Sequence, residues 1–202
     1  LPRKWSNKHS GGNSIMKQTL ITLVEDKPGV LNRVASLFRR RNFNIESLSV
    51  GKSETPGVSR MTIVANEPDS HKRGNLYFNL LKLVNVIAVK DVSSLPCISR
   101  ETILVKMTIG PEQLNDLNDV IKKFGARIVD MGSESTIVEA MDEESVINKM
   151  IEAFQPFEIT EIMRTGKIAM RKGKTHNISS NNINAQLDDL SWTPDHITAY
   201  QN

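Results

Sequence analysis

The feature that most restricts the fold of this chain is a pattern of apolar residues that occurs twice between residues 16 and 173. In each half, segments with the two-residue period of a strand and segments with the helical period follow one another in the order strand, helix, strand, strand, helix, strand. Such units are typical of the ferredoxin-like layout, in which two helices cover one face of an antiparallel sheet. The sequence therefore predicts an α+β protein made of two ferredoxin-like βαββαβ units, residues 16–95 and residues 96–173.

The first unit shows this pattern most clearly around its first helix. Asp26 lies at a position that suits a helix N-cap, and Pro28 suits a first helical turn. The apolar stripe that follows recurs at i, i+3, i+4 and i+7, and it consists of Leu31, Val34, Ala35 and Phe38. The strands of this unit are predicted at residues 18–24, 45–51, 58–65 and 86–92, and the second helix over Leu76, Leu80, Leu83 and Val84.

The second unit repeats the order with its own stop signals. Its first strand alternates between apolar and polar residues over residues 103–109. Gly125 suits the C-cap of the first helix, and Asp142 suits the N-cap of the second. The segment 157–164 is predicted to be the strand that closes the unit. Because the edges and open faces of such small sheets need cover, we expect another copy or a partner subunit to supply it.

The two ends of the chain differ from the part between them. Residues 1–15 hold three basic residues and no acidic one, and we expect them to form a flexible basic leader. Residues 174–202 are rich in Asn, Ser and Asp, and we expect a mostly disordered tail. The leader alone accounts for the formal net charge of +3, so the rest of the chain is neutral. Since aromatic residues make up only 5% and no apolar run approaches the ~20 residues of a membrane span, we expect neither a nucleic-acid nor a membrane partner.

Residues that could carry catalysis are scarce. The histidines lie in the two ends or in a polar segment, and none pairs with a carboxylate at the spacing of metal ligands. Cys97, the single cysteine, has no histidine suited to activate it. Residues 165–168 (TGKI) superficially resemble a phosphate loop but lack its upstream glycine and its hydroxyl residue after the lysine. An independent catalytic or metal centre is therefore not expected.

The segment between the first strand and the first helix has chemistry that suits a small zwitterion. A helix start exposes backbone N–H groups and a partial positive charge, which suit a carboxylate. Gly29 has no side chain, so a ligand can approach the backbone, and Asp26 can accept hydrogen bonds from an ammonium group. These features match a free amino acid. The alternative is that Asp26 only caps the helix and Gly29 only permits a tight turn, and local chemistry leaves both open.

A resemblance to a known family adds to this interpretation. Residues 23–34 (LVEDKPGVLNRV) resemble the opening of an ACT domain, a βαββαβ module that binds amino acids. Residues 43–51 (FNIESLSVG), followed by VSRMTI at residues 58–63, are similar to the small, regulatory subunit of acetolactate synthase. The similarity covers about residues 16–173 in continuous order, with further matches at residues 82–86, 100–106, 128–130 and 164–171. The string NIESL with SRMT at this distance resembles this family more than ACT domains in general.

The resemblance implies a non-catalytic subunit in branched-chain amino-acid biosynthesis. The family's large subunit carries thiamine diphosphate, magnesium and FAD and condenses pyruvate into acetolactate, so no cofactor is expected on this chain. The small subunit raises that activity and confers feedback inhibition, usually by valine. The implied partners are the large catalytic subunit, a second copy bound through the ACT domains and a branched-chain amino acid. The implied location is intracellular and soluble, in the bacterial cytoplasm or the plastid stroma.

The resemblance also implies site residues, because the family's effector binds at the interface between two ACT domains. The residues that correspond by position are Asp26, Gly29, Val30, Leu31, Asn44, Ile45 and Gly51. Family members often have Asn where this chain has Asp26, which adds a negative charge. The C-terminal unit has no comparable loop and is expected to contact the catalytic subunit and its own copy. The alternative is a stand-alone tandem ACT regulator of transcription or translation, which would need a basic or helix-turn-helix surface.

Overall fold

The structure, a computed structural model, describes residues 17–66, 70–133 and 135–173. The predicted leader (1–15) and tail (174–202) lie outside the described residues. The described part of the chain forms two consecutive units, each a sheet with its helices, and the α+β class with two ferredoxin-like units is confirmed.

The N-terminal unit is a four-stranded antiparallel sheet with strand order β2-β3-β1-β4. The central strands β1 and β3 pair in register from Lys17 opposite Asn66 to Glu25 opposite Val58. The elements are β1 (Lys17–Glu25), α1 (Val30–Arg40), β2 (Asn44–Lys52), β3 (Val58–Asn66), α2 (Ser70–Leu81) and β4 (Val86–Asp91). Strand β2 is thus an outer strand of this sheet, and it pairs with β3 on its inner edge.

Helix α1 covers one face of this sheet with a stripe that differs from the predicted one. The buried residues of α1 are Val30, Val34, Leu37 and Phe38. Leu31 is 45% exposed and Ala35 is also exposed, so the true stripe lies one residue to the side of the predicted pattern. The buried stripe packs against Leu20, Val24, Met61 and Ile63 of the sheet, and burying each large apolar side chain contributes about 1.5–3 kcal/mol.

The C-terminal unit repeats this architecture with strand order β6-β7-β5-β8. A short 3₁₀ helix at Pro111–Gln113 leads into its first α-helix. The elements are β5 (Cys97–Thr108), α3 (Leu114–Phe124), β6 (Arg127–Met131), β7 (Thr136–Asp142), α4 (Glu144–Ala153), β8 (Glu158–Arg164) and β9 (Ile168–Arg171). A second core, which includes the fully buried Ile103, Met107, Leu117, Ile147 and Phe154, fills the space between this sheet and its helices.

Strand β9 was not predicted, and it connects the two units. It pairs with the first part of β5, from Cys97 opposite Arg171 to Arg100 opposite Ile168. The resulting two-stranded ribbon lies on the face of the N-terminal sheet that the helices leave open. There Ala169 packs with the buried Ile21 and Val92 in one apolar cluster. The C-terminal unit therefore supplies part of the cover that the open sheet face requires.

Two helix boundaries also test the sequence interpretation. Gly125 is the C-cap of α3 with φ 63°, as predicted. The predicted N-cap of α4 is wrong, because Glu143 occupies that position while Asp142 ends strand β7. The side chain of Asp142 instead accepts a hydrogen bond from the N–H of Glu143 at 2.7 Å. Asp142 is thus one residue too early to cap the helix.

Candidate functional site

Gly29 sets the start of helix α1. It is the N-cap residue, with φ 84° and ψ −7°, and no side chain caps this helix end. The idea that Asp26 caps the helix is therefore wrong. A Cβ atom at Gly29 would meet nothing within 4 Å, so the space in front of the helix start is open. The N–H of Val30 donates to the carbonyl oxygen of Lys27 at 3.4 Å, whereas the N–H groups of the next two residues have no acceptor inside the helix and lie at this open end.

The loop before Gly29 is held by its backbone. The N–H of Asp26 donates to the carbonyl oxygen of Gly57 at 2.7 Å, and the N–H of Lys27 donates to that of Glu25 at 2.9 Å. The first bond ties the loop to the turn between β2 and β3. The side chain of Asp26 takes part in no described hydrogen bond or ion pair and is exposed. Asp26 thus presents a carboxylate at the edge of the open space.

A polar network beneath the loop was missed by sequence reasoning. The Glu25 carboxylate accepts a hydrogen bond from the Asn85 Nδ2 atom at 2.5 Å and lies 3.2 Å from the Lys27 Nζ atom. The amide of Asn85 and the charge of Lys27 lower the pKa of Glu25. Arg33 of helix α1 donates to the Asn85 Oδ1 atom. The network joins the end of β1, the loop, α1 and the start of β4. One clue to this network was present in the sequence, because Asn85 lies in residues 82–86, a segment that resembles the family named above.

The other predicted effector residues lie on β2, at its two ends. Asn44 begins the strand opposite Asn66, and Gly51 lies near its end opposite Arg60. Since β1 and β2 both run antiparallel to β3, the loop after β1 lies at the Gly51 end of β2. Asn44 and Ile45 lie at the far end, and seven residues of strand span about 23 Å. Within one chain, the structure brings Asp26, Gly29 and Gly51 to one end of the sheet, and it leaves Asn44 and Ile45 at the other.

The apolar residues of the predicted set differ in exposure. Val30 is only 3% exposed and belongs to the core, and Ile45 packs partly buried against the same core. Leu31 is 45% exposed and is available to a ligand. Gly51 is exposed and borders a cavity of about 440 Å³ between β2 and the β5–β9 ribbon, with apolar walls that include Val50 and Ile168. Of the three predicted aliphatic residues, Leu31 is the one whose side chain faces outward.

Groups suited to catalysis do not gather around this loop. Among residues 17–66, 70–133 and 135–173, no three His, Cys, Asp or Glu side chains form a cluster that could hold a metal ion. Cys97 is half-buried, and this burial raises the pKa of its thiol, so the reactive thiolate is disfavoured at neutral pH. The loop offers backbone N–H groups, one carboxylate and an apolar side chain, which is binding chemistry.

Comparison with known proteins identifies the family. The model of the AHAS small subunit-like ACT domain matches residues 20–88, and the model described as small subunit of acetolactate synthase matches residues 100–173. The acetolactate synthase small subunit of Bacillus subtilis is 36% identical over 166 residues, which cover 82% of this chain and 96% of that protein. The chain belongs to the acetolactate synthase small-subunit family.

Other members of the acetolactate synthase small-subunit family agree in sequence and in fold. The small subunit of Mycolicibacterium smegmatis is 37% identical over 161 residues, covering 80% of this chain and 94% of that protein. The crystal structure of the Thermotoga maritima small subunit matches with a TM-score of 0.73 and 34% identity, covering 78% of this chain and 98% of that one. Across the residues that the structure describes, no helix has the length and apolar character needed to cross a membrane. The N-terminal unit is accordingly called the ACT unit below.

Proposed function

We propose that this chain is the regulatory subunit that activates the catalytic subunit of acetolactate synthase and confers feedback inhibition by valine. Membership of the small-subunit family supports a catalytic large subunit as partner. Thiamine diphosphate, magnesium and FAD would be bound by that partner, which carries the chemistry. The C-terminal unit would contact the catalytic subunit.

The observation that carries the effector site is the separation of its residues along β2. Asp26 and Gly29 lie at the Gly51 end of the strand, whereas Asn44 and Ile45 lie at the other end. One chain therefore cannot enclose a small ligand with both groups. A two-fold axis beside the outer edge of β2 would pair two copies of that strand in antiparallel fashion. The Asn44 end of one copy would then meet the loop end of the other, which supports a homodimer with composite sites.

Each part of such a site would recognise a different part of valine. The first-turn N–H groups after Gly29 and the positive end of the helix dipole would bind the carboxylate. Asp26 would accept from the ammonium group, and Asn44 of the second copy would add a polar contact. The exposed Leu31 would lie against the isopropyl group. A coupling of about 1–3 kcal/mol between this site and the catalytic subunit would suffice for regulation.

The direct experiment measures acetolactate production by the cognate catalytic subunit, with and without this chain, across a valine titration. Higher activity that valine suppresses is the expected result. Activation without sensitivity to valine would keep the subunit role and refute the effector site. No effect on a competent catalytic subunit would refute the proposal and favour a stand-alone ACT regulator.

The variant Gly29→Asp tests the site itself. The position has φ 84° and open space, so the substitution adds a negative charge at the helix start without a clash. It should raise the valine concentration for half-inhibition by at least about tenfold, equivalent to about 1.4 kcal/mol, and leave activation intact. Gly125→Asp is the matched control, since Gly125 also has positive φ (63°) and free space but lies in the C-terminal unit. Equal effects of the two variants would contradict the site.

A further inference from the structure

A turn of the C-terminal unit is hydrogen-bonded to strand β2 of the ACT unit. The N–H of Lys167 donates to the Ser47 Oγ atom at 2.8 Å. The Ser49 Oγ atom in turn donates to the carbonyl oxygen of Thr165 at 3.1 Å. We call residues 165–167 the clasp. Ser47 and Ser49 pair with Val64 and Thr62 of β3, so they lie on the sheet face opposite the helices.

Gly166 allows this close contact. Its φ is 81°, a conformation that residues with a side chain rarely adopt. A Cβ atom at this position would lie 2.6 Å from the Ser47 Oγ atom and 3.4 Å from the Ser49 Oγ atom. Any residue with a side chain at position 166 would therefore require the Ser47 side chain to shift.

Ion pairs lie beside the clasp, and one of them, Lys17 with Glu144, joins the two units. Lys17 of β1 lies 2.5 Å from Glu46 of β2 and 2.6 Å from Glu144 of helix α4. Lys167 of the clasp lies 3.5 Å from the same Glu144. Glu46, Glu144 and Lys167 line a cavity of about 380 Å³ between the units. The acidic side chains around the cavity are thus paired with basic side chains of the same chain, and the cavity is part of the contact between the two units.

Beyond the clasp, the β9 strand continues the connection. The Arg60 Nη2 atom of β3 donates to the carbonyl oxygen of Ala169 at 2.9 Å. Contacts from β2 and β3 thus hold residues 165–169 along the open face of the ACT sheet. The contacts to Ser47 and Ser49 lie between Ile45 and Gly51, which are the two ends of β2 assigned above to the effector site.

We propose that the clasp is the coupling element through which strand β2 of the ACT unit controls the position of the C-terminal unit. The regulatory consequence rests on the proposed function, because β2 would carry the effector's contacts at both ends. A change in β2 moves Ser47 and Ser49, and the clasp follows because both serines are hydrogen-bonded to it. Strands β8 and β9 flank the clasp in sequence, and both pair with β5, so they transmit the movement into the second sheet.

Amide hydrogen–deuterium exchange of the full chain tests the clasp without any effector. Ser47→Ala removes the acceptor of the Lys167 N–H, and it should raise exchange at residues 165–169 about fivefold, the loss expected from one hydrogen bond. Gly166→Ala should raise exchange on both sides, in residues 165–169 and in the peptide that contains Ser47. Gly125→Ala carries the same kind of positive-φ strain with no close neighbour and should leave both segments unchanged.

The double variant Ser47→Ala/Gly166→Ala sharpens this test. Removing the Ser47 Oγ atom relieves the contact with the new methyl group, so exchange on β2 should return toward that of Ser47→Ala alone. Such non-additivity is the signature of direct contact. Unchanged exchange on β2 in Gly166→Ala, or additive effects in the double variant, would overturn the coupling.

The regulatory consequence is measured with the catalytic subunit present. Gly166→Ala should bind valine within about twofold of the unmodified chain by calorimetry, yet need about tenfold more valine for half-inhibition, a loss within the usual range of coupling between sites. If Gly166→Ala needed the same valine concentration for half-inhibition as the unmodified chain, the proposal would be overturned. Absence of valine binding by the unmodified chain would instead refute the proposed effector, while the exchange experiment still decides the clasp.

Discussion

The ion pair between Glu101 and Arg164 supports the clasp from the C-terminal side. Glu101 lies on β5, and Arg164 is the last residue of β8, directly before residue 165. The Arg164 Nε and Nη2 atoms donate to the two carboxylate oxygens of Glu101 at 2.7 and 2.6 Å. The side chain of Glu101 is 8% exposed, whereas that of Arg164 is 34% exposed. We predict that Glu101→Gln destabilises the C-terminal unit.

The expected magnitude follows from this geometry. Removing one partner of a fully buried ion pair costs about 3–5 kcal/mol, because the remaining charge is left without compensation. Here Arg164 is one-third exposed and keeps a hydrogen bond to the Asn148 Oδ1 atom at 3.0 Å, so water and Asn148 offset part of the loss. The destabilisation should be about 2 kcal/mol, which for a unit of this size lowers Tm by roughly 10 °C.

The assay is urea and thermal unfolding of the full chain, followed by circular dichroism. Glu139→Gln is the matched control, since Glu139 also pairs across strands of this sheet, with Arg127 at 2.9 Å. Arg127 is 72% exposed, so this pair should contribute less than about 0.5 kcal/mol. Equal destabilisation by the two variants would refute the reasoning that burial decides the strength of the pair.

Three further predictions concern pH and packing. Burial opposes ionisation of Glu144, but the contact with Lys17 outweighs it and lowers the pKa of Glu144 below the ordinary 4.5. The stability that this pair adds is therefore complete above pH 4.5, and it is lost as the pH falls through the lowered pKa. Lys17→Met should therefore destabilise the chain to urea at pH 7 and less at pH 3, and an equal effect at both would contradict this. Asn85→Ala should raise the pKa of Glu25, measured by carboxyl NMR, because the amide of Asn85 is the main cause of its lowering; an unchanged titration would count against it. Phe154→Ala should cost about 3–5 kcal/mol in urea unfolding, since Phe154 is 0% exposed, and a loss below about 1 kcal/mol would show that the second core repacks.

Most of the fold was predictable because local periodicity encodes it. The alternation over residues 103–109 and the stop signal at Gly125 needed no information from distant residues, and both lie in the predicted kinds of element. The β5–β9 ribbon was not predictable in this way. Residues 97–100 and 168–171 pair over some seventy positions of sequence, and Ala169 is buried only because the other unit lies against it. Burial of one unit's residues by the other unit depends on tertiary contacts, which a short stretch of sequence does not encode.

The candidate site divides in the same manner. The helix-start chemistry after Gly29 was readable from a few adjacent residues, whereas the β2 residues came from the family resemblance. The network of Glu25 with Asn85 was missed because its two members lie 60 positions apart and meet only when β1 and β4 are neighbours. The prediction that Asp26 caps α1 was wrong, because the N-cap residue is Gly29, three positions later, in a left-handed backbone conformation.

The position of β2 is consistent with the two roles proposed for this strand, effector binding and coupling. Its inner edge is bonded to β3, and Leu48 on its helix side packs against the ACT core. Its open face carries Ser47 and Ser49 in contact with the clasp. The register of β2 shifts between Ile45 and Ser47, which places Glu46 at a bulge beside Lys17. Because three sides of β2 are thus held within the chain, a displacement imposed at its outer edge must be taken up by the core or by the clasp. Interiors packed at crystal-like density yield little, so we expect the hydrogen-bonded clasp to take up the displacement.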